Sequence, residues 1–346
     1  MKILSIETSC DETAAAVTEG RKVLSQAIYS QVLIHKKWGG VVPNLAKRAH
    51  EEKIDPVIEE SLKKAKITMS DIDYIAVTVG PGLAVALETG IRKAKELSIK
   101  FNKPIISINH MEGHIYSPFV QNSKGTPVID FEFPYLVLLI SGGHTEFVLF
   151  KDHMQYEIIG EKIDDAAGEA LDKAARMLGL GYPGGSVLER LAKDVHNIDP
   201  YKFPRPMIHS ENLNFSFSGL KTSFYYYLKQ LSDEEKNDKI KELASSFQEA
   251  VFDTLLIKTE KAIKQTGINK LIVGGGVSSN LYLRSRLRTL MKKNNGNVLF
   301  PSFKYLSGDN AAMIGVAAYY KAERNMFVND IDSFQRIPRL RLGNQT

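Results

Sequence analysis

Short apolar runs separated by polar turns open the chain and predict three β-strands. The first run, Lys2–Glu7, is almost wholly apolar, which is typical of a strand covered on both faces. Strands at Thr13–Thr18 and Lys22–Ile28 follow it. A helical spacing of apolar residues then predicts a helix from Asn44 to Lys66, with Asn44 as its N-cap. The beginning of the chain therefore indicates an α/β fold.

The same order of elements occurs twice along the chain. The first copy continues with strand Tyr74–Val79, the turn Gly80-Pro81-Gly82, a helix and a strand. The second copy begins at strand Tyr135–Ile140 and ends with strand Lys270–Val273, the turn Gly274-Gly275-Gly276, a helix and a strand. We therefore expect two βββαβα lobes around a central cleft, because ligands of such sheets bind beyond the carboxyl ends of the strands.

These patterns also predict the domain boundaries. We expect an N-terminal lobe at residues 1–130, a C-terminal lobe at 131–325 and a C-terminal tail at 326–346. Residues 152–227 have no counterpart in the first half and predict an insertion in the C-terminal lobe. The helix at 309–325 is expected to pack back on the N-terminal lobe.

Composition narrows the class of protein. A length of 346 residues suits two domains, and 43% hydrophobic with 25% charged residues is typical of a globular chain. The net charge of +5 permits an anionic partner without identifying one. The single cysteine, Cys10, excludes an internal disulfide framework and a cysteine-based zinc finger. No run approaches the roughly 20 apolar residues of a membrane span, and the N-terminus predicts no signal peptide, so we expect a cytoplasmic protein without a membrane partner.

Two histidines suggest a metal site. His110 and His114 are four residues apart, so on a helix they share one face and can bind one metal ion. Glu112 lies roughly 200° around that helix from His110, so the base of a zincin metalloprotease is missing. A third ligand must be distant in sequence. Asp309, just before the helix Ala311–Tyr320, is a candidate, and its alternative role is that of a helix N-cap.

Polar turns after buried strands are further candidates. The first holds Asp11 and Glu12, which suit metal binding or proton transfer, although hairpin turns favour the same residue types. The turn Ser141-Gly142-Gly143-His144 lets the backbone approach a ligand, or is a common two-glycine hairpin. The turn Gly274-Gly275-Gly276 brings a helix N-terminus to an anion or a nucleoside, but it is not the G-x-G-x-x-G fingerprint.

Two more segments have both a structural and a functional interpretation. Asp172 lies inside a predicted helix, where a carboxylate facing the cleft can accept hydrogen bonds from substrate hydroxyls or amines. Aromatic residues alternate with polar ones in Asn214–Thr222, downstream of Lys202 and Arg205, a mixture that can bind nucleic acid. For this second segment we favour a loop leading into a helix that Ser218 caps.

Taken together, these segments resemble the tRNA N6-adenosine threonylcarbamoyltransferase (TsaD) family over about residues 1–325. The segments that support the resemblance are Met1–Thr13, Gly39–His50, His110–His114, Ser141–Thr145, Asp164–Lys173, Tyr182–Gly185, Phe215–Thr222, Gly274–Asn280 and Ser307–Asn310. The resemblance implies a fold like that of actin, hexokinase and the Hsp70 ATPase. It also implies transfer of a threonylcarbamoyl group from L-threonylcarbamoyl-adenylate to N6 of the adenosine 3′ of the anticodon in tRNAs reading ANN codons, with release of AMP.

The resemblance also implies roles for residues and partners. His110, His114 and Asp309 would hold one divalent metal ion, Fe²⁺ first, with Zn²⁺ or Mg²⁺ as alternatives, and Asp11 and Glu12 would lie near the reacting carbonyl. The residues implied to bind the adenylate are Leu139, Ile140, Ser141, Gly142, Gly143, Asp172, Gly185, Glu189 and Asn280. A TsaB-like paralogue and a TsaE-like P-loop ATPase are the implied protein partners, alongside tRNA.

Departures from the family pattern are local, and more than one function fits the motifs. Asn44 stands where the family usually has Glu, and a small glycine near Val85 is missing. The main alternative function is an ATP-dependent small-molecule kinase of the same fold class. His110 and His114 argue against it, because Mg²⁺ prefers oxygen ligands. A metalloprotease and a non-catalytic nucleotide-binding scaffold are two further candidate functions.

Overall fold

The computed structural model of the protein describes residues 1–343. The strands, in chain order, are β1 (Lys2–Glu7), β2 (Glu12–Glu19), β3 (Lys22–Ser30), β4 (Tyr74–Gly80), β5 (Ile105–Asn109), β6 (Tyr135–Ile140), β7 (Thr145–Asp152), β8 (Gln155–Glu161), β9 (Lys270–Gly274) and β10 (Asn297–Leu299). The α-helices are α1 (Val32–His35), α2 (Pro43–Ala65), α3 (Ala84–Phe101), α4 (His110–Tyr116), α5 (Ala167–Met177), α6 (Gly185–Asp194), α7 (Ser218–Lys229), α8 (Asp233–Asp238), α9 (Ile240–Thr266), α10 (Leu281–Lys293) and α11 (Ala311–Ala322). Short 3₁₀ helices lie at Lys36–Trp38, Met69–Asp71, Ser117–Phe119, Gly276–Ser279 and Lys304–Leu306.

The two sheets have the same topology. The first has the order β3-β2-β1-β4-β5, and the second has the order β10-β9-β6-β7-β8, which is the same arrangement written from the other edge. In each, the first strand pairs antiparallel with the second and parallel with the fourth. The predicted repetition of strand order is therefore present in the fold.

Contacts divide the chain into two compact units. The first unit consists of Met1–Glu132, Asp152–Tyr156 and the chain from Pro301 onward, and the second of Phe133–Lys151 and Glu157–Phe300. The second unit thus ends at Phe300, earlier than the lobe expected to reach residue 325. The reason is α11, which packs against β1 and β2 of the first unit. Its Gly315 lies so close to β2 that a Cβ there would come within 2.6 Å of Thr18 Oγ1.

Helix α2 begins one residue earlier than the sequence predicts. Pro43 is its first residue and Val42 its N-cap, so the predicted capping role of Asn44 is wrong. Proline suits this position because the first N–H of a helix has no partner within the helix. The helix buries its apolar face against the first sheet and ends at Ala65, and its C-cap residue Lys66 adopts a left-handed conformation.

The chain beyond α11 follows the first unit. Val328 N donates to Ile105 O at 2.9 Å, and Ile337 N donates to Val79 O at 2.7 Å. Leu340 is buried in the same apolar core as β1 and β4. Residues 344–346 of the predicted tail lie outside the described residues. Within residues 1–343, every helix is too short or too polar to cross a membrane.

Candidate functional site

The end of β5 sets the geometry of the histidine pair. Asn109 caps α4, since its side chain accepts a hydrogen bond from Met111 N at 2.9 Å. Glu112 Oε2 accepts from Asn109 N at 3.3 Å and pairs with Lys321 Nζ at 3.1 Å. Helix α4 therefore begins at His110, which places His110 and His114 on one face. Glu112 is held in structural contacts, as expected for a chain without the zincin base.

Asp309 completes a cluster with the two histidines. Its Oδ1 atom lies 3.3 Å from Nε2 of His110 and 3.3 Å from Nε2 of His114, and one ligand atom from each of the three residues lies within 4.8 Å of the others. Asp309 does not cap α11, because Asn310 does so by accepting from Met313 N at 3.0 Å. The alternative interpretation of Asp309 as an N-cap is therefore wrong. Two imidazole nitrogens and one carboxylate suit Fe²⁺ or Zn²⁺.

His114 provides a test of whether these residues fit a metal ion. Both of its ring nitrogens are buried. Within residues 1–343, Nδ1 makes no hydrogen bond, and the one polar neighbour of Nε2 is the Asp309 carboxylate at 3.3 Å. A buried polar atom without a partner costs about 1–3 kcal/mol. A metal ion at Nε2 would satisfy one of the two atoms, so the His110–His114–Asp309 cluster is compatible with a metal site.

Glu7 supports the cluster from behind. Its Oε2 atom accepts from His110 Nδ1 at 3.1 Å and from Thr78 Oγ1 at 2.5 Å. Donation through Nδ1 leaves Nε2 of His110 free to bind a metal ion. Burial acts to lower the pKa of His110, but the carboxylates of Asp309 and Glu7 outweigh it and raise that pKa well above its usual value.

Two further carboxylates, Asp11 and Glu12, follow Glu7 at the turn between β1 and β2. Asp11 is buried, and Glu12 begins β2, where its Oε1 atom accepts from Ser30 Oγ at 3.1 Å. Burial and the charge of Asp11 raise the pKa of Glu12 well above its usual value. Two adjacent carboxyl groups of this kind can hold and exchange a proton.

The second unit has a pocket of about 320 Å³. It lies at the turn after β6, beside α5 and the N-terminal ends of α6 and α10. Of the residues predicted to bind substrate, five line it: Gly142, Asp172, Gly185, Glu189 and Asn280. Helix N-termini and glycine-rich turns favour phosphate and nucleoside groups, because their N–H groups point outward.

The polar side chains of the pocket also hold helix ends. Asp172 Oδ1 accepts from the backbone nitrogens of Gly184 and Gly185 at 2.8 and 3.1 Å, at the start of α6. Glu189 Oε1 accepts from Leu281 N at 2.9 Å, and Asn280 Oδ1 from Leu283 N at 2.9 Å, at the start of α10. The positions of these polar groups are therefore fixed before any ligand binds.

The other predicted substrate residues lie behind or beside this pocket. Leu139 and Ile140 are wholly buried in β6. Ser141 Oγ accepts from the backbone nitrogens of Gly143 and His144 at 3.3 and 3.1 Å. These residues set the shape of the turn, and the side chains of Leu139 and Ile140 do not reach the pocket surface.

Comparison with known proteins identifies the family. Residues 22–316 match the family described as TsaD: tRNA N6-adenosine threonylcarbamoyltransferase. The chain belongs to this family. A tRNA N6-adenosine threonylcarbamoyltransferase of Kosmotoga olearia is 48% identical over 327 residues, covering 94% of this chain and 95% of the relative. One of Clostridium kluyveri is 47% identical over 347 residues, covering 100% of this chain and 99% of the relative.

Solved structures agree on the fold. HypF of T. kodakarensis superposes with a TM-score of 0.61 at 13% identity, covering 93% of this chain and 48% of that one. Component A of the Acidaminococcus fermentans (R)-2-hydroxyglutaryl-CoA dehydratase superposes with a TM-score of 0.52 at 14% identity, covering 93% of this chain and 99% of that one. The predicted two-sheet α/β fold is thereby confirmed. The curated TsaD relatives confirm a transferase that modifies tRNA and do not match the kinase alternative.

Sequence reasoning missed several residues that organise the TsaD site. Glu7 is the one carboxylate of the buried strand β1, and its position at the end of that strand is a signal that the sequence contains. Gln248 Oε1 accepts from Asn280 Nδ2 at 3.1 Å, and no pattern in the sequence indicates this contact. Asp164 accepts from Ser216 and Ser218. Ser218 is the first residue of α7 after the N-cap Phe217, so its predicted capping role is wrong.

Proposed function

We propose that this chain transfers the threonylcarbamoyl group of L-threonylcarbamoyl-adenylate to N6 of the adenosine 3′ of the anticodon in tRNAs reading ANN codons. The products are N6-threonylcarbamoyladenosine and AMP, and the reaction takes place in the cytoplasm. The observation that supports this best is the His110–His114–Asp309 cluster in a chain that aligns over its whole length with named transferases of this kind.

The cluster would hold one Fe²⁺ ion, which supplies positive charge for substrate oxygens when bound. His110, His114 and Asp309 would be the ligands, and Glu7 would orient the His110 ring through Nδ1. The predicted alternatives Zn²⁺ and Mg²⁺ differ in their fit. Zn²⁺ accepts the same donors, whereas Mg²⁺ prefers an all-oxygen set.

The pocket of the second unit would bind the adenylate. Its glycine turn and the N-terminal ends of α6 and α10 suit a phosphate and a ribose. Asp172, Glu189 and Asn280 offer oxygens for hydroxyl or amine donors of the ligand. Gly142 and Gly185 leave room for the backbone to approach it, while Leu139, Ile140, Ser141 and Gly143 would shape that surface.

Bond changes in the reaction are simple. The N6 amine of adenosine attacks the carbamoyl carbon, a C–N bond forms, and the bond from that carbon to the phosphate oxygen of AMP breaks. The amine is a weak nucleophile, so positioning and removal of its proton are the steps that the protein must assist. We assign the proton to Glu12, with Asp11 beside it, because burial and the charge of Asp11 raise the pKa of Glu12 and make its carboxylate a stronger proton acceptor than that of a free glutamate.

A transfer assay tests the proposal. Purified protein receives unmodified tRNA and threonylcarbamoyl-adenylate, with and without the proposed TsaB-like and TsaE-like partners. We expect modified adenosine in the wild type, and a large loss in His114→Ala and Glu12→Ala. The exposed substitution Glu59→Gln is the matched control, which should retain activity.

Two results would contradict the proposal. No modified adenosine under any condition, alongside ATP-dependent phosphorylation of a small metabolite, would favour the kinase. Full activity of a well-folded Glu12→Ala variant would remove Glu12 from the proton transfer while leaving the transferase assignment in place.

A further inference from the structure

A basic segment with one exposed tryptophan lies between β3 and the body of α2. Residues 31–50 contain no Asp or Glu. They contain four exposed cations, namely Lys36, Lys37, Lys47 and Arg48. Trp38 is the only tryptophan of the chain. We call residues 32–48 the cation–tryptophan segment.

The polar and aromatic groups of this segment face solvent. Trp38 is 66% exposed, and within the described part of the chain it stacks on no other ring. None of the four cations has a side-chain partner within residues 1–343. A run of exposed cations without any acid produces a local positive potential, which attracts an anionic partner.

A buried histidine fixes the shape of the segment. His35 is wholly buried, and its Nε2 atom lies 3.0 Å from Gln31 Oε1. Val42 N donates to the other ring nitrogen, Nδ1, at 3.3 Å. The contacts of His35 with Gln31 and Val42 therefore hold the two sides of the loop that carries Trp38.

Both ends of the segment are tied to the turn that holds Asp11 and Glu12. Gln31 N donates to Asp11 O at 2.9 Å, and His50 Nε2 lies 3.0 Å from Cys10 O. A nucleotide whose base reaches Glu12 would therefore have its neighbouring nucleotides close to the cation–tryptophan segment.

We propose that the cation–tryptophan segment binds the anticodon loop of the substrate tRNA, with Trp38 stacking on an unpaired base and the four cations contacting phosphates. This inference rests on the proposed function. Single-stranded RNA loops expose unstacked bases that aromatic side chains bind by their faces, and the phosphates supply the negative charge. The exposed Trp38 ring suits the unstacked bases, and the cations on either side of it suit the phosphates.

Fluorescence provides a direct test, because the single tryptophan reports only from position 38. Titration of the wild type with an unmodified anticodon stem-loop should quench the emission, because a base stacks on the indole. The KM for tRNA should rise roughly tenfold in Trp38→Ala, while the KM for threonylcarbamoyl-adenylate stays unchanged. Trp38→Phe should restore most of the tRNA affinity. The control is Tyr226→Ala, which removes an aromatic residue 60% exposed on α7.

Salt dependence tests the cations separately. The double variant Lys36→Ala, Lys37→Ala should bind tRNA more weakly and lower the slope of log K against log salt by about one to two units. The matched control is Lys63→Ala, Lys64→Ala. This control removes the same charge at a site on α2 about 24 Å from Lys47, given a rise of 1.5 Å per residue. It should leave the salt slope unchanged.

Failure of this inference is distinguishable from failure of the proposed function. Wild-type protein that modifies tRNA, with a Trp38→Ala variant of unchanged tRNA KM and no quenching, would overturn the inference alone. Loss of binding to a protein partner with tRNA KM unchanged would likewise overturn it, since the segment would then be a protein interface. A wild type without transfer activity under any condition would overturn the proposed function instead.

Discussion

At the scale of single residues, Glu7 is the most consequential side chain without a direct place among the proposed metal ligands. It is wholly buried and accepts hydrogen bonds from His110 Nδ1, Thr78 Oγ1 and Ser9 N. Each donor comes from a different part of the first unit. One carboxylate thus sets both the ring orientation of His110 and the shape of the turn before Asp11.

Replacing this carboxylate should weaken metal binding. Glu7→Gln keeps the size of the side chain but exchanges one acceptor oxygen for an NH₂ group, so we expect a loss of about 10–100-fold in affinity for Fe²⁺ or Zn²⁺. Competition with a chromophoric chelator measures it. The exposed Glu59→Gln should bind as the wild type does, and equal affinities in the two variants would show that Glu7 does not orient His110.

Metal removal gives a second prediction at this scale. An ion that binds only the folded chain stabilises it, by about 2.7 kcal/mol at a free concentration 100 times its Kd. We expect a chelator to lower the Tm of the metal-loaded protein and added Fe²⁺ or Zn²⁺ to restore it. His114→Ala should show no shift in either direction, and an equal shift in that variant would place the ion elsewhere.

At the scale of elements, close packing brings α5 onto the turn after β6. A Cβ at Gly168 would lie 2.5 Å from Ser141 O, whereas a Cβ at Gly143, on the same turn, would meet nothing within 4 Å. The first glycine is thus required by the approach of two backbones, and the second is not.

We therefore expect opposite results from two similar substitutions. Gly168→Ala should cost about 1–3 kcal/mol by pushing α5 away from the turn, and should also weaken adenylate binding. Gly143→Ala should change stability by less than about 0.5 kcal/mol. Urea unfolding and adenylate titration measure the two effects. Equal stability of the two variants would contradict the close packing.

Asp164 links β8 and α7 in a way that depends on pH. Burial acts to raise its pKa, but donation from Ser216, Ser218 and the backbone of Phe217 and Ser218 outweighs it and lowers that pKa. A lowered carboxyl pKa stabilises the fold above the unfolded value of about 3.9, and this stabilisation is lost as pH falls through the folded value. We expect the stability difference between wild type and Asp164→Asn to be full above about pH 5 and to shrink below about pH 4. The exposed Glu52→Gln should show no such pH-dependent difference by chemical denaturation.

At the scale of the whole molecule, the sequence predicted the repeated strand order and grouped His110, His114 and Asp309, but it did not predict the course of the chain beyond α11. Buried strands such as β1 and β6 are continuous apolar runs, and His110 and His114 have helical spacing, so a short window of sequence shows each pattern. The sequence analysis expects the helix at 309–325 to pack back on the N-terminal lobe, but the contact that sets the distance of α11 from β2, Gly315 against Thr18, joins residues far apart in sequence. No spacing along the sequence encodes such a contact, and the same holds for Gln248 beside Asn280.

The tail gives a prediction at this scale. Leu340 is 6% exposed in the core of the first unit, although it lies far from β1 and β4 in sequence. Leu340→Ala should cost about 2–3 kcal/mol. The control Leu281→Ala removes a side chain that is 72% exposed and should cost less than about 0.5 kcal/mol. Midpoints of urea unfolding compare them, and equal midpoints would mean that the tail adds no stability.

The position of this tail also makes the duplicated halves unequal. Gly82 N donates to Pro338 O at 3.1 Å, and a Cβ at Gly80 would overlap Ile337 O at 1.9 Å. The glycine turn after β4 is therefore covered by the protein's own backbone, whereas its counterpart after β9 lines the open pocket through Gly276. Of the two glycine turns that the duplication produces, one is thus covered and one lines an open pocket. We therefore expect equilibrium dialysis with a non-hydrolysable adenylate to give a stoichiometry of one molecule per chain.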